Sequence, residues 1–207
     1  MESILILSPH VDDGIICAGA TISRFLNESK TIYYISFSLG GYKNFLEKLA
    51  REFYQSLKEI GLPKKNSILL DFKARYFKTC RQKILDKIWD LKKEFQPDVI
   101  FCPSSCDLHQ DHQTIYEETV RAFKGDDSSL LGFDFPYNSL NSKHSVFFEV
   151  RKKDLEAKWR SLSKYTSQLK RPYMNRDFIF SLAKVRGLQS GCDYAEAFEP
   201  IKIVYKR

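Results

Sequence analysis

Short apolar runs alternate with longer stretches of helical periodicity along most of this chain. Residues 4–7 and 99–102 are continuous apolar runs bounded by polar residues or proline, the mark of strands buried on both faces. Residues 31–38 (TIYYISFS) and 67–70 predict two more strands, the first β-branched and aromatic. Between these runs apolar residues recur three or four apart. Ile15, Ile16, Ala18, Ile22, Phe25 and Leu26 predict a helix over 14–27, and Phe45, Leu46, Leu49, Phe53, Leu57 and Ile60 predict a second that Gly61 and Pro63 stop. Similar spacing predicts helices over 84–95, ending before Pro97, and over 111–123. Beyond a loop at 125–129 come strands at 130–135 and 146–150, with a turn-rich segment at 136–142 between them. Helices at 152–169 and 176–185 and a closing strand at 201–205 complete the pattern. Strands alternating with helices predict an α/β fold with a mostly parallel central sheet, covered by helices on both faces. No repeat or linker interrupts the pattern, so residues 1–207 read as a single domain.

Composition narrows the class. A hydrophobic fraction of 43% is near the globular norm and argues against disorder. No stretch approaches the roughly 18 apolar residues of a membrane span. The chain enters a strand almost at once, with no basic segment before an apolar one, so no secretory signal is expected. The five cysteines (Cys17, Cys80, Cys102, Cys106, Cys192) are odd in number and scattered, which predicts free thiols and a cytoplasmic protein. The net charge of +7 is spread through the helices as a solvated surface, and no nucleic-acid-binding motif is visible. An anionic small molecule is the partner this charge would favour.

Two polar clusters carry the candidate chemistry. Ser8-Pro9-His10-Val11-Asp12-Asp13 follows the first strand, and Asp107-Leu108-His109-Gln110-Asp111-His112 follows the fourth. Both lie past the carboxyl end of a strand, where open α/β sheets place their ligands. Any one of these histidines alone is an ordinary loop residue, and an Asp pair alone is a good helix start. Together, however, the clusters hold three of the four histidines in the chain. His10, Asp13 and His112 are candidate ligands for Zn2+, leaving a position for water, and Fe2+ or another divalent ion suits the same donors. Asp12 is placed to act as general base. His109 is placed to donate to the oxyanion or protonate the leaving amine, and Asp111 to hold a histidine in its tautomer.

These residues resemble the PIG-L/LmbE family of zinc-dependent N-acetylglucosaminyl deacetylases, whose signatures are His-Pro-Asp-Asp-Glu and His-Pro-Asp-His. The resemblance extends along the chain, through Arg51-Glu52 with Leu57 and Gly61, Lys158 with Tyr165-Thr166-Ser167-Gln168, and Arg186-Gly187 with Tyr194-Ala195-Glu196-Ala197-Phe198. It implies a Rossmann-like three-layer sandwich and the ligand, base and oxyanion roles already assigned. It also implies a substrate that is an N-acetylated amino sugar or its conjugate. Val11 and Gln110 stand where the family has proline, and Gly14 where it usually has glutamate. The Gly14 departure favours the alternative of a non-catalytic sugar-binding protein, while retention of Asp12 favours an enzyme. Hydrolysis of another small amide is the other alternative.

Remaining residues have plainer readings beside functional ones. Arg51 and Gln168 are candidate substrate contacts, as is Arg171, although Arg51 equally suits an ion pair and 165–168 a helix end. Cys102 and Cys106 read as a buried strand end and a loop residue rather than ligands. Trp89 and Trp159 read as core, His144 as surface, and Glu196 as an anchor for the C-terminal strand.

Overall fold

The computed structural model describes residues 2–40 and 46–205. Seven strands form one sheet: β1 (Ser3–His10), β2 (Thr31–Ser38), β3 (Ser67–Leu69), β4 (Val99–Pro103), β5 (Ser129–Phe133), β6 (Val146–Glu149) and β7 (Ala195–Lys202). Six α-helices accompany them: α1 (Asp13–Asn27), α2 (Leu46–Glu59), α3 (Arg81–Phe95), α4 (Gln110–Phe123), α5 (Lys152–Leu162) and α6 (Arg176–Ser190). The strand order is β3-β2-β1-β4-β5-β7-β6, with β7 antiparallel to both neighbours and the remaining pairs parallel. This is a Rossmann-like α/β sandwich.

The period of two along β1 explains the layers. Ile4 and Ile6 face one side, with Ile15 and Ile22 of α1, Phe53 of α2, Leu155 of α5 and Ile179 of α6. Leu5 and Leu7 face the other, with Ile84 and Ile88 of α3 and Ile115 and Phe123 of α4. Each fully buried side chain of this size contributes about 1.5–3 kcal/mol by leaving water. The two cores therefore clamp the sheet between helical layers. Because β1 pairs with β2 on one edge and β4 on the other, the strand order reverses there. A crevice at such a reversal, outside the carboxyl ends of the strands, is the usual ligand position.

Three boundaries differ from the sequence pattern, one of them simply because the helix expected over 176–185 continues to Ser190, where Gly191 ends it in a left-handed turn. The helix expected over 152–169 ends at Leu162, because the hydroxyls of Thr166 (2.7 Å) and Ser167 and the amide of Ser167 (3.1 Å) donate to the buried carboxylate of Glu52. The closing strand is not 201–205 but Ala195–Lys202. Its apolar alternation is masked by two carboxylates that are themselves buried, Glu196 and Glu199. Trp89 is exposed rather than core, with the Lys92 ammonium over its ring, whereas Trp159 does pack against the core. Phe45, expected to begin α2, lies outside the described residues.

Glu196 anchors β7 to the helical layer. Its carboxylate accepts from the amides of Ala20 (3.1 Å) and Thr21 (2.7 Å) and from Lys158 Nζ (2.7 Å). The Lys158 stem crosses α1 at Gly19, where a Cβ would stand 2.8 Å from Lys158 Cγ. Glu199 does the same for the loop after β4, accepting from the amide and hydroxyl of Ser105. Removing one partner of a buried charge pair leaves the other unmatched, at a cost of about 3–5 kcal/mol. Glu196→Gln should therefore lower the urea unfolding free energy by about that amount, whereas the joint change Lys158→Met, Glu196→Gln should cost less. A loss from Glu196→Gln well under 1 kcal/mol would show that the pair is not what fastens β7.

Candidate active site

The β1–α1 turn is held by hydrogen bonds of its own. Ser8 Oγ donates to the carbonyl of His10 (2.5 Å) and accepts from the Gly14 amide (3.0 Å) and the Tyr34 hydroxyl (3.1 Å). The Tyr165 hydroxyl reaches across from the segment after α5 to donate to the carbonyl of Val11 (2.7 Å). Gly14 is required by the approach of Tyr34, since a Cβ there would lie 2.7 Å from its hydroxyl oxygen and 2.9 Å from its ring. The position where the family usually has glutamate is thus filled by the Tyr34 side chain.

Asp13 Oδ2 is the centre of the site. It accepts from the His10 amide (2.8 Å), and lies 3.0 Å from His10 Nδ1 and 3.1 Å from His112 Nε2. The outer nitrogens of both rings meet carboxylates. Asp111 Oδ2 is 3.1 Å from His10 Nε2, and Asp107 Oδ2 is 2.7 Å from His112 Nδ1. Burial alone would lower both histidines, but Asp13 and Asp111 raise His10 to about 10, and Asp13 and Asp107 raise His112 to about 9. Burial raises Asp13, and the two imidazoles outweigh it, holding the carboxyl well below its usual range.

One carboxylate and two imidazoles, their donor atoms within 4.8 Å of one another, fit a divalent ion. A carboxylate on the far nitrogen of each ligand ring is the support such histidines ordinarily have. A second grouping, His10, His109 and Asp111, meets the same distance limit. Its lone pairs are already engaged, because His109 Nδ1 accepts from the Asp111 amide (3.1 Å) and Asp111 Oδ2 from the Arg75 amide (2.6 Å). Neither Cys102 nor Cys106 belongs to either grouping, and all five cysteines are free.

Asp12 is buried beside this cluster, with its side chain making no cap bond at the start of α1. Burial and the neighbouring Asp13 push its carboxyl up to about 7. His109 caps α4 through Nδ1, so the proton of the neutral ring sits on Nε2. Burial, with His112 and His10 beside it, lowers its pKa.

These residues open into a cavity of about 690 Å³, within the range of small-molecule sites. His10, Asp12, Asp13, His109 and His112 form part of its wall, together with Gln168 and Arg171 from the segment after α5. Asp111 lies behind His10 and does not line it. Arg51 is exposed on α2 and does not line the cavity; its neighbour Glu52 acts on the site indirectly by holding Thr166 and Ser167. His144 is not a free surface residue: its Nε2 accepts from Arg186 Nη1 at 2.6 Å. Sequence reasoning assigned no role to Asp107, although its place two residues before His109 was in plain view. It also passed over Lys73, Arg75, Phe135, Tyr137 and Tyr173, which line the cavity. Phe135 and Tyr137 both pack around Tyr173, the ring centroids 5.0 and 5.4 Å away.

The PIG-L family model, described as GlcNAc-PI de-N-acetylase, matches residues 5–123. The chain belongs to the PIG-L family. No curated protein matches the sequence. Among solved structures, this PIG-L chain is similar to the N,N'-diacetylchitobiose deacetylase of Pyrococcus horikoshii, at 18% identity over 96% of this chain and 83% of that one (TM-score 0.75). A deacetylase of teicoplanin biosynthesis, solved with teicoplanin, is 14% identical over 96% and 97% of the two chains (TM-score 0.81). The 4-carboxy-2-hydroxymuconate hydratase of Pseudomonas putida KT2440 is 15% identical over 100% and 99% (TM-score 0.79). This fold therefore hosts more than one reaction, and the residues of the site decide which.

Asp107 offers a test of the metal assignment that leaves every proposed ligand in place. Asp107→Asn should weaken zinc binding by roughly 10–100-fold, measured by competition with a chromogenic chelator. Unchanged affinity would show that the orientation of His112 does not depend on Asp107.

Proposed function

We propose that this protein is a metal-dependent N-deacetylase that hydrolyses the acetamide of an N-acetylated amino sugar or its conjugate. The observation that carries the reading is the convergence of His10, Asp13 and His112 on one point, with Asp12 and His109 beside it on the wall of a single cavity. Membership of a family described by a de-N-acetylase activity supports it. So do solved structures of the same fold that are named as deacetylases, one of N,N'-diacetylchitobiose and one of the teicoplanin biosynthesis pathway.

A divalent ion held by His10, Asp13 and His112, zinc in the first instance, would polarise the amide carbonyl and ease ionisation of the attacking water. Asp12 takes the proton of that water. A carboxyl held near neutrality by burial is a better base at physiological pH than an ordinary aspartate, because proton affinity and ionised fraction are balanced. His109 Nε2–H donates a hydrogen bond to the oxygen on which charge develops, and the proton that Asp12 took from the water passes to the departing amine. Asp111 and Asp107 keep the ligand rings in one tautomer each, and Asp107 also accepts from the His109 amide (2.8 Å), which fixes the cap residue. Tyr137, Tyr173 and Phe135 form an aromatic wall against which a pyranose ring can pack, while Asn138, Ser167 and Gln168 supply hydroxyl partners.

Among the described residues no helix is long and apolar enough to cross a membrane. The free cysteines suit a reducing compartment, and we place the protein in the cytoplasm, acting as a single domain on a small-molecule substrate.

Two variants separate catalysis from ligation. Asp12→Asn should abolish amine release from N-acetylglucosamine conjugates while zinc content stays stoichiometric. His109→Ala should keep zinc and lower kcat by roughly 10²–10³, with about 1 kcal/mol lost from the α4 cap. Full turnover in the Asp12 variant would end the general-base assignment, and activity unaffected by loss of His109 would remove it from the reaction.

A further inference from the structure

We propose that His144 is a positioning residue for the substrate wall: by accepting a hydrogen bond from Arg186 it clips the 134–145 loop to α6, and that loop presents Phe135, Tyr137 and Asn138 to the sugar. The inference rests on the deacetylase reading above and adds a control of substrate affinity to the same site.

Residues 134–145 contain neither helix nor strand, yet Phe135, Tyr137 and Asn138 among them line the cavity. A wall built on so long a loop needs ties. Its middle is tied to the turn carrying His109, the Leu108 amide donating to the carbonyl of Asn138 (3.1 Å). Its two ends meet at Arg186. Nη1 lies 2.6 Å from His144 Nε2, and Nη2 lies 3.6 Å from Asp134 Oδ2. The side chains of Arg186, His144 and Asp134 are only 15%, 12% and 8% exposed, so water competes little for these contacts. Arg186 is itself a fixed post. A Cβ on the adjacent Gly187 would stand 2.6 Å from the Asp193 carbonyl, so α6 lies directly on that segment.

The clip suits one protonation state of the ring. A guanidinium has donors and no acceptor, so Nε2 must offer its lone pair, and the neutral ring carries its proton on Nδ1. The charged groups facing the ring are Arg186 from α6 and Asp134 from the end of β5, while Phe147 of β6 packs edge-on against it at 6.1 Å. Protonation would set N–H against N–H at the Arg186 contact, and the ring has somewhere to go. Asp134 Oδ2, which takes the Ser142 hydroxyl (2.6 Å), stands 3.8 Å from Nδ1, too far for a hydrogen bond. Asp134 Oδ1, Ser139 Oγ and His144 Nδ1 are all buried without a hydrogen-bond partner among the described residues. Buried polar atoms are ordinarily satisfied, and three unsatisfied ones in a single loop mark packing that can close differently.

Burial and Arg186 hold the His144 pKa below its ordinary value, against the pull of Asp134. The neutral clip is therefore complete above about pH 6.5 and opens as the pH falls below it. Proton and substrate are then linked through the loop, each weakening the other by the same factor. The proposed metal ligands, Asp12 and His109 stand on other turns, so the effect belongs to KM rather than kcat.

The test measures KM for methyl N-acetylglucosaminide at about pH 8 and about pH 5 in the wild type, His144→Gln and His144→Leu, with zinc in excess and zinc content as the control for folding. Gln keeps an oxygen for Arg186 and does not titrate, whereas Leu offers Arg186 nothing. We expect the rise in wild-type KM on acidification to exceed that of His144→Gln by about fivefold or more, with kcat following one profile in both. His144→Leu should have a raised KM already at the higher pH. Equal pH dependence of KM in wild type and His144→Gln overturns the proposal, as does an unaltered KM in His144→Leu. If zinc-loaded wild type releases no amine from any N-acetylglucosamine conjugate, the deacetylase reading fails. Hydrogen exchange of residues 134–145 then decides the clip by itself. Protection lost on acidification in the wild type and kept in His144→Gln supports it, and identical behaviour of the two overturns it.

Discussion

The site is organised around the demand that the Asp13 carboxylate makes on its surroundings. A buried carboxylate is costly unless every lone pair finds a donor. Here one oxygen takes the His10 amide and faces both imidazoles. That single atom binds the end of β1 to the start of α4, which are about a hundred residues apart in the chain. The strand order makes the meeting possible, because β1 and β4 are neighbours and both turns emerge on the same edge. The same arrangement that stabilises the turn collects the donors a divalent ion would need.

Buried acids recur as fasteners elsewhere. Glu52 holds the segment after α5, Glu196 holds β7 to α1 and α5, and Glu199 holds the loop after β4. Asp107 and Asp111 each accept from backbone amides while touching an imidazole. Such contacts bond loop amides that would otherwise need water. A wall made of loops thereby gains the definition usually given by strands. Proton transfer by the groups proposed here needs close placement, and these acids supply it.

Much of the fold was legible because β1, β2 and β4 are apolar on both faces, so their runs stand out from their surroundings. Strand β7 was not, since Glu196 and Glu199 occupy inward positions and erase the alternation. The end of α5 is unmarked in the sequence, because no Gly or Pro follows Leu162 before Pro172, and only the pull of Glu52 shows why it stops. Within the site, His10, Asp12, Asp13, His109, Asp111 and His112 announced themselves by residue type and position after strands. Asp107 was passed over because its role depends on which ring nitrogen it faces. Lys73, Arg75 and Tyr173 are far from either motif in sequence, and only folding brings them to the same cavity. Arg51 was conspicuous as a charge, yet the helix turns it outward and presents Glu52 inward instead.

The contact between Gly14 and Tyr34 constrains how this chain can change. No side chain fits at position 14 while the tyrosine ring occupies the space, and shortening position 34 alone would leave a void beside β1. The tyrosine hydroxyl also meets Ser8, so its loss would slacken the turn that presents His10. The two positions behave as one heritable unit. A path from this sequence to one with a glutamate at position 14 passes through an intermediate that is either overpacked or hollow, and relatives of this chain should exchange both residues together or neither.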